Sequence, residues 1–220
     1  RADEIIARLN KLNELRQQDE ANILNDAIRR LEPCDLSDTR AIVLRSETWN
    51  AGVIGIAASR IAEMYHRPTI LFSESDGILK GSARSIDGVN IHEVLCCCRE
   101  FFVRFGGHAK AAGITMESAF FEDFRFKLNA CLKAGYDDSV FIPCKRYEFD
   151  IPLEQVTGEL ISELTRLAPF GESNPSPVFR SRHVAVSRLR RFGSDAQHTK
   201  MDVSPSISSS APPLDAVWFA

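Results

Sequence analysis

Three short segments hold the residues best suited to chemistry. The first is Gly81-Ser82-Ala83-Arg84-Ser85. A guanidinium fork flanked by hydroxyls offers what a phosphate needs: positive charge, planar paired donors and short hydrogen bonds. An ordinary surface arginine beside a turn would use the same residue types, so both readings stay open. The second segment is Arg104-Phe105-Gly106-Gly107-His108-Ala109-Lys110-Ala111-Ala112-Gly113. Small residues around one histidine let a ligand approach the backbone amides closely. The imidazole can donate to a phosphate oxygen or exchange a proton near neutral pH. A tight helix-to-strand turn would also favour small residues, with the histidine satisfied by backbone. The third segment runs from Trp49-Asn50-Ala51-Gly52 into Val53-Ile54-Gly55-Ile56-Ala57-Ala58-Ser59-Arg60. A polar loop entering a helix of low bulk leaves N-terminal amides open to an anion. Asn50 as a simple cap and Trp49 as a core residue are the competing assignments.

These segments need elements to position them. Ile5, Ile6, Leu9, Leu12, Leu15, Ile23, Leu24 and Ile28 recur near a 3.6 period, which predicts a helix from Asp3 to about Leu31, stopped by Pro33. At ~1.5 Å per residue this helix is roughly 40 Å long, which suits a connector between two bodies. Strands are expected at 41–44, 69–72, 78–84 and 114–116, with helices at 53–66 and 120–132. Asn90 with Glu93 resembles a capping box opening a helix to about Phe102. Gly106-Gly107-His108 would then link that helix to the strand at 114–116. Further on, 147–151 alternates as a strand, 153–167 is amphipathic, and β signals follow at 178–191, 198–203 and 215–219. The Ser/Pro-rich stretch from Ser204 to Pro213 is too poor in apolar residues to fold alone and is read as a long mobile loop.

Composition sets the outer bounds. A chain of 220 residues suffices for one large or two small domains, and 44% apolar with 26% charged residues is ordinary for a globular protein. No apolar run approaches the ~20 residues of a membrane helix. The start, Arg1-Ala2-Asp3-Glu4, has neither an initiator Met nor the apolar stretch of a signal peptide, as expected of an excised piece. Cys96, Cys97 and Cys98 are consecutive, while Cys34, Cys131 and Cys144 are scattered, with no Cys-x-x-Cys pair. That pattern points to reduced thiols in a cytoplasmic protein and to no metal bound by this chain. The net charge of −3 is uneven: residues 116–176 carry 6 basic and 11 acidic groups, and residues 177–220 carry 6 and 3. A basic tail on an acidic body permits a nucleic-acid patch without proving one.

Taken together and in this order, Trp49-x-x-Gly52-Val53-Ile54-Gly55-Ile56-x-Ala58-Ser59-Arg60, Lys80-Gly81-Ser82-x-Arg84-Ser85 and Arg104-Phe105-Gly106-Gly107-His108-Ala109-x-Ala111-Ala112-Gly113 resemble the DHHA1 domain of RecJ exonucleases. Residues 12–20 are similar to that family's linker helix. Leu167-Ala168-Pro169-Phe170-Gly171-Glu172-Ser173-Asn174-Pro175-Ser176-Pro177-Val178-Phe179 resembles the entry to its OB-fold. The resemblance implies an α/β fold, with a connector helix over 1–33 and a DHHA1-type domain with a mixed, helix-flanked sheet over 38–136. A truncated, partial OB-like β-barrel over 145–220 would follow. It further implies digestion of single-stranded DNA from the 5′ end by a metal-dependent DHH domain ahead of the connector, holding manganese or magnesium. By the same resemblance Ser82, Arg84 and Ser85 bind phosphate, Gly106, Gly107 and His108 line the same cleft, and Asn50 stands where the family usually has His. Ser173 stands where the family usually has Gly.

No Asp-His-His or similar acidic metal motif occurs in the sequence. A metal-assisted phosphodiester cleavage needs such ions, so the chain alone is expected to be inactive. Arg180, Arg182, Arg188, Arg190 and Arg191 would supply the basic groove of an OB-type binder, with a solvated strand face as the alternative. Two other functions compete. Oligoribonucleotide or cyclic-dinucleotide phosphodiesterases of the superfamily tend to carry a Gly-Gly-Gly-His run and no OB-fold, whereas Phe105 precedes the glycine pair here. A non-enzymatic DNA-binding or partner-binding module would have no catalytic half upstream.

Overall fold

A computed structural model of the chain describes residues 2–171, 173–193, 196–209 and 212–219. It divides into two compact units, residues 1–143 and 144–220.

In the first unit, helix α1 (Ala2–Leu31) carries Asp3 and Glu4 in its first turn and Arg29 and Arg30 in its last, matching the helix dipole at both ends. Its second half buries Ile23, Ala27 and Leu31 against helix α2 (Ile54–Tyr65), Trp49 and Leu71. The buried Glu20 carboxylate lies between Arg16 at 2.8 Å and Arg60 of α2 at 2.7 Å, the latter poorly angled for a hydrogen bond. Residues Ile5 to Leu15 leave their apolar face more than half exposed.

Asp26 ties α1 to the loop before α2. Its Oδ2 accepts from Trp49 Nε1 at 3.1 Å and meets Arg30 at 2.6 Å, while Oδ1 accepts from Arg29. Partial burial opposes the charge, yet Arg29, Arg30 and Trp49 outweigh it and hold this carboxyl below its ordinary 3.8. A carboxyl with a depressed folded pKa contributes stability that is present above its unfolded pKa and lost as pH falls through the folded one. Acidification below pH 3.8 is therefore expected to loosen the Trp49 contact and red-shift its fluorescence. In Asp26→Asn, which has no charge to lose, that step should vanish.

Five strands form one sheet in the order β1-β2-β3-β5-β4. They are β1 (Ile42–Ser46), β2 (Thr69–Ser75), β3 (Ile78–Arg84), β4 (Phe102–His108) and β5 (Ala111–Glu117). The β1–α2–β2 unit makes the single parallel pair, and the remaining pairs are antiparallel. Asp76 and Gly77, both at positive φ (52° and 73°), make the two-residue turn joining β2 to β3, the residue pair such a hairpin favours. One face of the sheet packs Ile70, Phe72, Leu79, Ala83, Ala112, Ile114 and Met116 against helices α3 (Ile91–Cys96) and α4 (Phe121–Gly135). The other is covered by α1 and α2 only over β1, β2 and part of β3.

The structure departs from the sequence expectations in places that matter. The helix opened by Asn90, whose side chain accepts from Glu93 N, ends at Cys96 instead of near Phe102. Residues 102–108 become β4, so Gly106-Gly107-His108 is the end of a strand in a hairpin with β5, not a helix-to-strand link. A short apolar run such as Phe101–Phe105 suits either element, and pairing with β5 decides it. In the second unit, 147–151 lies along 178–180 through one bridge, Asp150 to Arg180, and bonds such as Glu148 N to Val178 O at 2.7 Å, without becoming a regular strand. The amphipathic segment breaks at Thr157, which caps helix α5 (Gly158–Thr165) by accepting from Leu160 N. Strands β6 (Ala185–Phe192), β7 (His198–Ser204) and β8 (Leu214–Trp218) form an antiparallel meander. The expected loop runs from the end of β7, but Ser210 and Ala211 within it lie outside the described residues, as does Glu172 of the Pro-rich motif.

All six cysteines are free. Burial pushes the Cys98 thiol up to about 12, with the nearby Cys131 thiol adding to it. No helix among the described residues is long and apolar enough to cross a membrane.

Candidate nucleic-acid interface

Register decides which side chains meet. Cross-strand partners share a face, and residues two apart on one strand return to it. Arg84 pairs with Ala111 and Ala111 with His108; Ser82 pairs with Gly113 and Gly113 with Gly106; Lys80 pairs with Thr115 and Thr115 with Arg104. These three rows lie on the sheet face that carries α2, with Ser82 and Arg84 beside that helix and the β5 and β4 members beyond it, uncovered. Lys80, Arg104, Gly106, His108 and Gly113 are exposed, and Ser82, Arg84 and Thr115 are half-buried.

Arg84 is held in place by its neighbours. Its Nε donates to Ser59 Oγ of α2 at 3.1 Å, and its Nη1 donates to Ser82 Oγ and to Ala83 O, both at 2.9 Å. Gly55 makes room for the fork, since an added Cβ there would stand 2.8 Å from Nη2. Among the described residues Nη2 has no acceptor and the guanidinium no carboxylate partner. Two N–H groups of a fixed cation therefore remain available. Ser82 Oγ accepts from Arg84, which leaves its own proton to donate. His108 Nδ1 accepts from Lys110 N at 3.3 Å, a contact that places the proton of a neutral ring on Nε2.

The other expected site residues divide. Gly106 lies on this face with nothing within 4 Å of a Cβ built on it. Gly107 turns to the core side, pairing with Ala112, and an added Cβ would stand 2.3 Å from Ala111 O. Ser85 follows Arg84, but its hydroxyl donates to Val89 O at 2.8 Å and its N–H to Lys110 O at 2.9 Å, fastening the hairpin tip. Asn50 is engaged elsewhere. Its Nδ2 donates to Asp19 Oδ2 at 3.0 Å and its Oδ1 accepts from Gly52 N at 2.9 Å. It lines a cavity of about 340 Å³ with Asp19, Asn22, Asp26, Thr48 and Trp49, whose carboxylates oppose an anion.

In the second unit, carboxylates claim much of the basic stretch. Asp150 binds Arg180 through both oxygens, at 2.6 and 3.1 Å, and Arg182 at 3.0 Å, while Arg180 also lies 4.0 Å over the Tyr147 ring. Arg188 pairs with Asp202 at 3.1 Å and Lys200 with Asp215 at 3.0 Å. Arg190 and Arg191 have no carboxylate partner among the described residues. Phe179 packs at a tilt against Phe149, and Phe192 packs at a tilt against His198 and edge-on to Phe219, so both act in side-chain clusters.

Ser59, Gly55, Lys80 and Arg104 join this site through the fold, beyond the residues that sequence alone points to. For Lys80 and Arg104 the signal is alternation, Lys80-x-Ser82-x-Arg84 and Arg104-x-Gly106-x-His108, which becomes legible once both segments are strands. Among the described residues no group of three or more His, Cys, Asp or Glu side chains is placed to hold a metal ion.

Residues 38–134 match the DHHA1 domain, and residues 147–220 match the RecJ OB domain. The chain belongs to the RecJ family. It is 36% identical over 99% of its length to the single-stranded-DNA-specific exonuclease RecJ of Bacillus subtilis, and 30% identical over its whole length to that of Haemophilus influenzae. It spans 27% and 39% of those relatives. The crystal structure of RecJ in complex with Mn2+ from Thermus thermophilus superposes with a TM-score of 0.72, at 29% identity, over 98% of this chain and 33% of that one. The mixed sheet, long first helix and following β unit thus agree with the fold class implied by the sequence.

Proposed function

We propose that this chain is the nucleic-acid-gripping part of a single-stranded-DNA exonuclease, and that the open face of β3, β5 and β4 holds substrate phosphate. The observation that carries this reading is the Arg84 fork: three N–H groups fixed by protein and two left without an acceptor. Each of those Nη2 N–H groups can donate a charge-assisted bond to a phosphate oxygen, with Ser82 Oγ–H and His108 Nε2–H adding neutral donors. Gly106 keeps the neighbouring backbone bare, and Gly107 and Ser85 serve the phosphate indirectly by holding the hairpin. Asn50 positions the connector helix instead of touching the ligand. The relatives that the chain resembles are single-stranded-DNA-specific exonucleases, which supports single-stranded DNA as the polymer. Release from the 5′ end, a cytoplasmic setting and a place in DNA repair and recombination go with that reading.

Hydrolysis itself belongs to residues outside this chain. The metal, when bound by a preceding DHH domain, supplies the hydroxide and neutralises the leaving oxygen. This chain's residues bind and orient the strand. In the second unit Arg190 and Arg191 are the free charges that would meet its backbone, while Arg180, Arg182 and Arg188 act first as partners of Asp150 and Asp202. The OB domain disfavours a cyclic-dinucleotide phosphodiesterase, which has no strand to guide.

Fluorescence anisotropy with oligonucleotides bearing a 5′-phosphate or a 5′-hydroxyl tests the reading. Arg84→Ala should weaken the phosphorylated strand by ~1.5–3 kcal/mol, the range for a charge-assisted hydrogen bond. Gly55→Ala, which displaces the same fork, should act in the same direction. Equal losses on both strands, or none, would remove Arg84 as the phosphate ligand.

A further inference from the structure

The uncovered face has a second charged row that the phosphate reading does not use. Lys80 and Arg104 flank Thr115 just as Arg84 and His108 flank Ala111. Both are exposed, and neither has a carboxylate partner among the described residues. The two rows are separated by four residues along each strand, about 13 Å, and their outer members by two strand spacings, about 10 Å. Between them lie Ser82, Gly113 and Gly106. Nothing stands within 4 Å of a Cβ built on either glycine. The face is therefore a bare backbone floor with a basic or donor side chain at each corner.

We infer that Lys80 and Arg104 form a second phosphate subsite, so that this face grips a nucleic-acid strand at two separate phosphates. A guanidinium anchored by Ser59, Ser82 and Ala83 O cannot reach across that distance. The group met by Lys80 and Arg104 is consequently a different phosphate from the one on Arg84. The uncovered glycine backbone lets the intervening sugar or base lie against the sheet. Lys80 and Arg104 are flexible point and fork charges without fixed partners, which suits an internal phosphate that must slide past. Arg84 is preorganised, which suits one that is held. The inference rests on the reading of Arg84 as a phosphate ligand.

NMR titration of the 220-residue chain with a 5′-phosphorylated mononucleotide, pdT, and a 5′-phosphorylated trinucleotide, pdTpdTpdT, separates the two claims. Lys80→Ala/Arg104→Ala should raise the Kd for the trinucleotide about tenfold and leave that for the mononucleotide within twofold, while Arg84→Ala raises both. The salt dependence of trinucleotide binding should also flatten by ~0.7 per phosphate contact removed. An unchanged trinucleotide Kd in the double variant overturns the second subsite. An equal loss for both ligands overturns it too, by showing a diffuse field. If Arg84→Ala changes neither Kd, the underlying phosphate reading falls instead. Both replaced side chains are exposed, so an unchanged melting temperature shows that folding is not the cause.

Discussion

Gly107→Ala should cost on the order of 3 kcal/mol of folding stability and with it the sheet face shared by Arg84 and His108. The methyl would enter 2.3 Å from Ala111 O, 2.5 Å from Ala112 Cα and 2.8 Å from Ala112 Cβ. Two of those three atoms are main chain, so no side chain can rotate away, and β4 must part from β5. The hairpin tip cannot relax freely either, because Lys110 O accepts from Ser85 N at 2.9 Å and Ala109 O from Ile91 N at 3.0 Å. Gly106→Ala is the matched control. It has open space where the methyl would go, and replacing a strand glycine by alanine gains about 0.5–1 kcal/mol by limiting the unfolded chain. Adjacent glycines in one motif are thus expected to respond with opposite signs in denaturant melts. Equal stability of the two variants would show that the hairpin yields where its packing says it cannot.

Phe72→Ala should be the most damaging single truncation in the first unit, at about 3–5 kcal/mol. The ring is fully buried and meets Phe121 at 6.2 Å and Phe124 at 5.9 Å, both edge-on. It also lies over the backbone of its cross-strand partner Gly81, so close that a Cβ there would stand 2.3 Å from the ring. Removing the ring leaves a void that Gly81 has no side chain to fill, and Gly81 sits inside Lys80-Gly81-Ser82-x-Arg84. The melting temperature of the first unit should fall by about 10 °C or more, given ~3–4 °C per kcal/mol at this size. A fall of only a few degrees would mean that α4 collapses onto the sheet and closes the void.

The two variants show how far local sequence carries. The connector helix was legible because its period, its end charges and Pro33 all act within a few residues. The β2 and β3 strands were legible from their apolar residues, and the donor groups of Ser82 and Arg84 from residue type alone. The family followed from three motifs in order, since their spacing survives without knowledge of the packing.

What sequence left open depended on partners far along the chain. Residues 102–108 read as the tail of a helix until β5 supplied hydrogen bonds, and that pairing carried His108, Gly106 and Arg104 onto the face of Arg84. Asn50 looked like a ligand until Asp19, on the connector helix, took its amide. The arginines of the second unit looked like one basic groove until Asp150 neutralised two of them from 30 and 32 residues away. Residue type and spacing thus determined which groups this protein has to offer a phosphate. Only tertiary structure decided which remain free, because a charge or donor is available to a ligand only when no partner in the fold reaches it first.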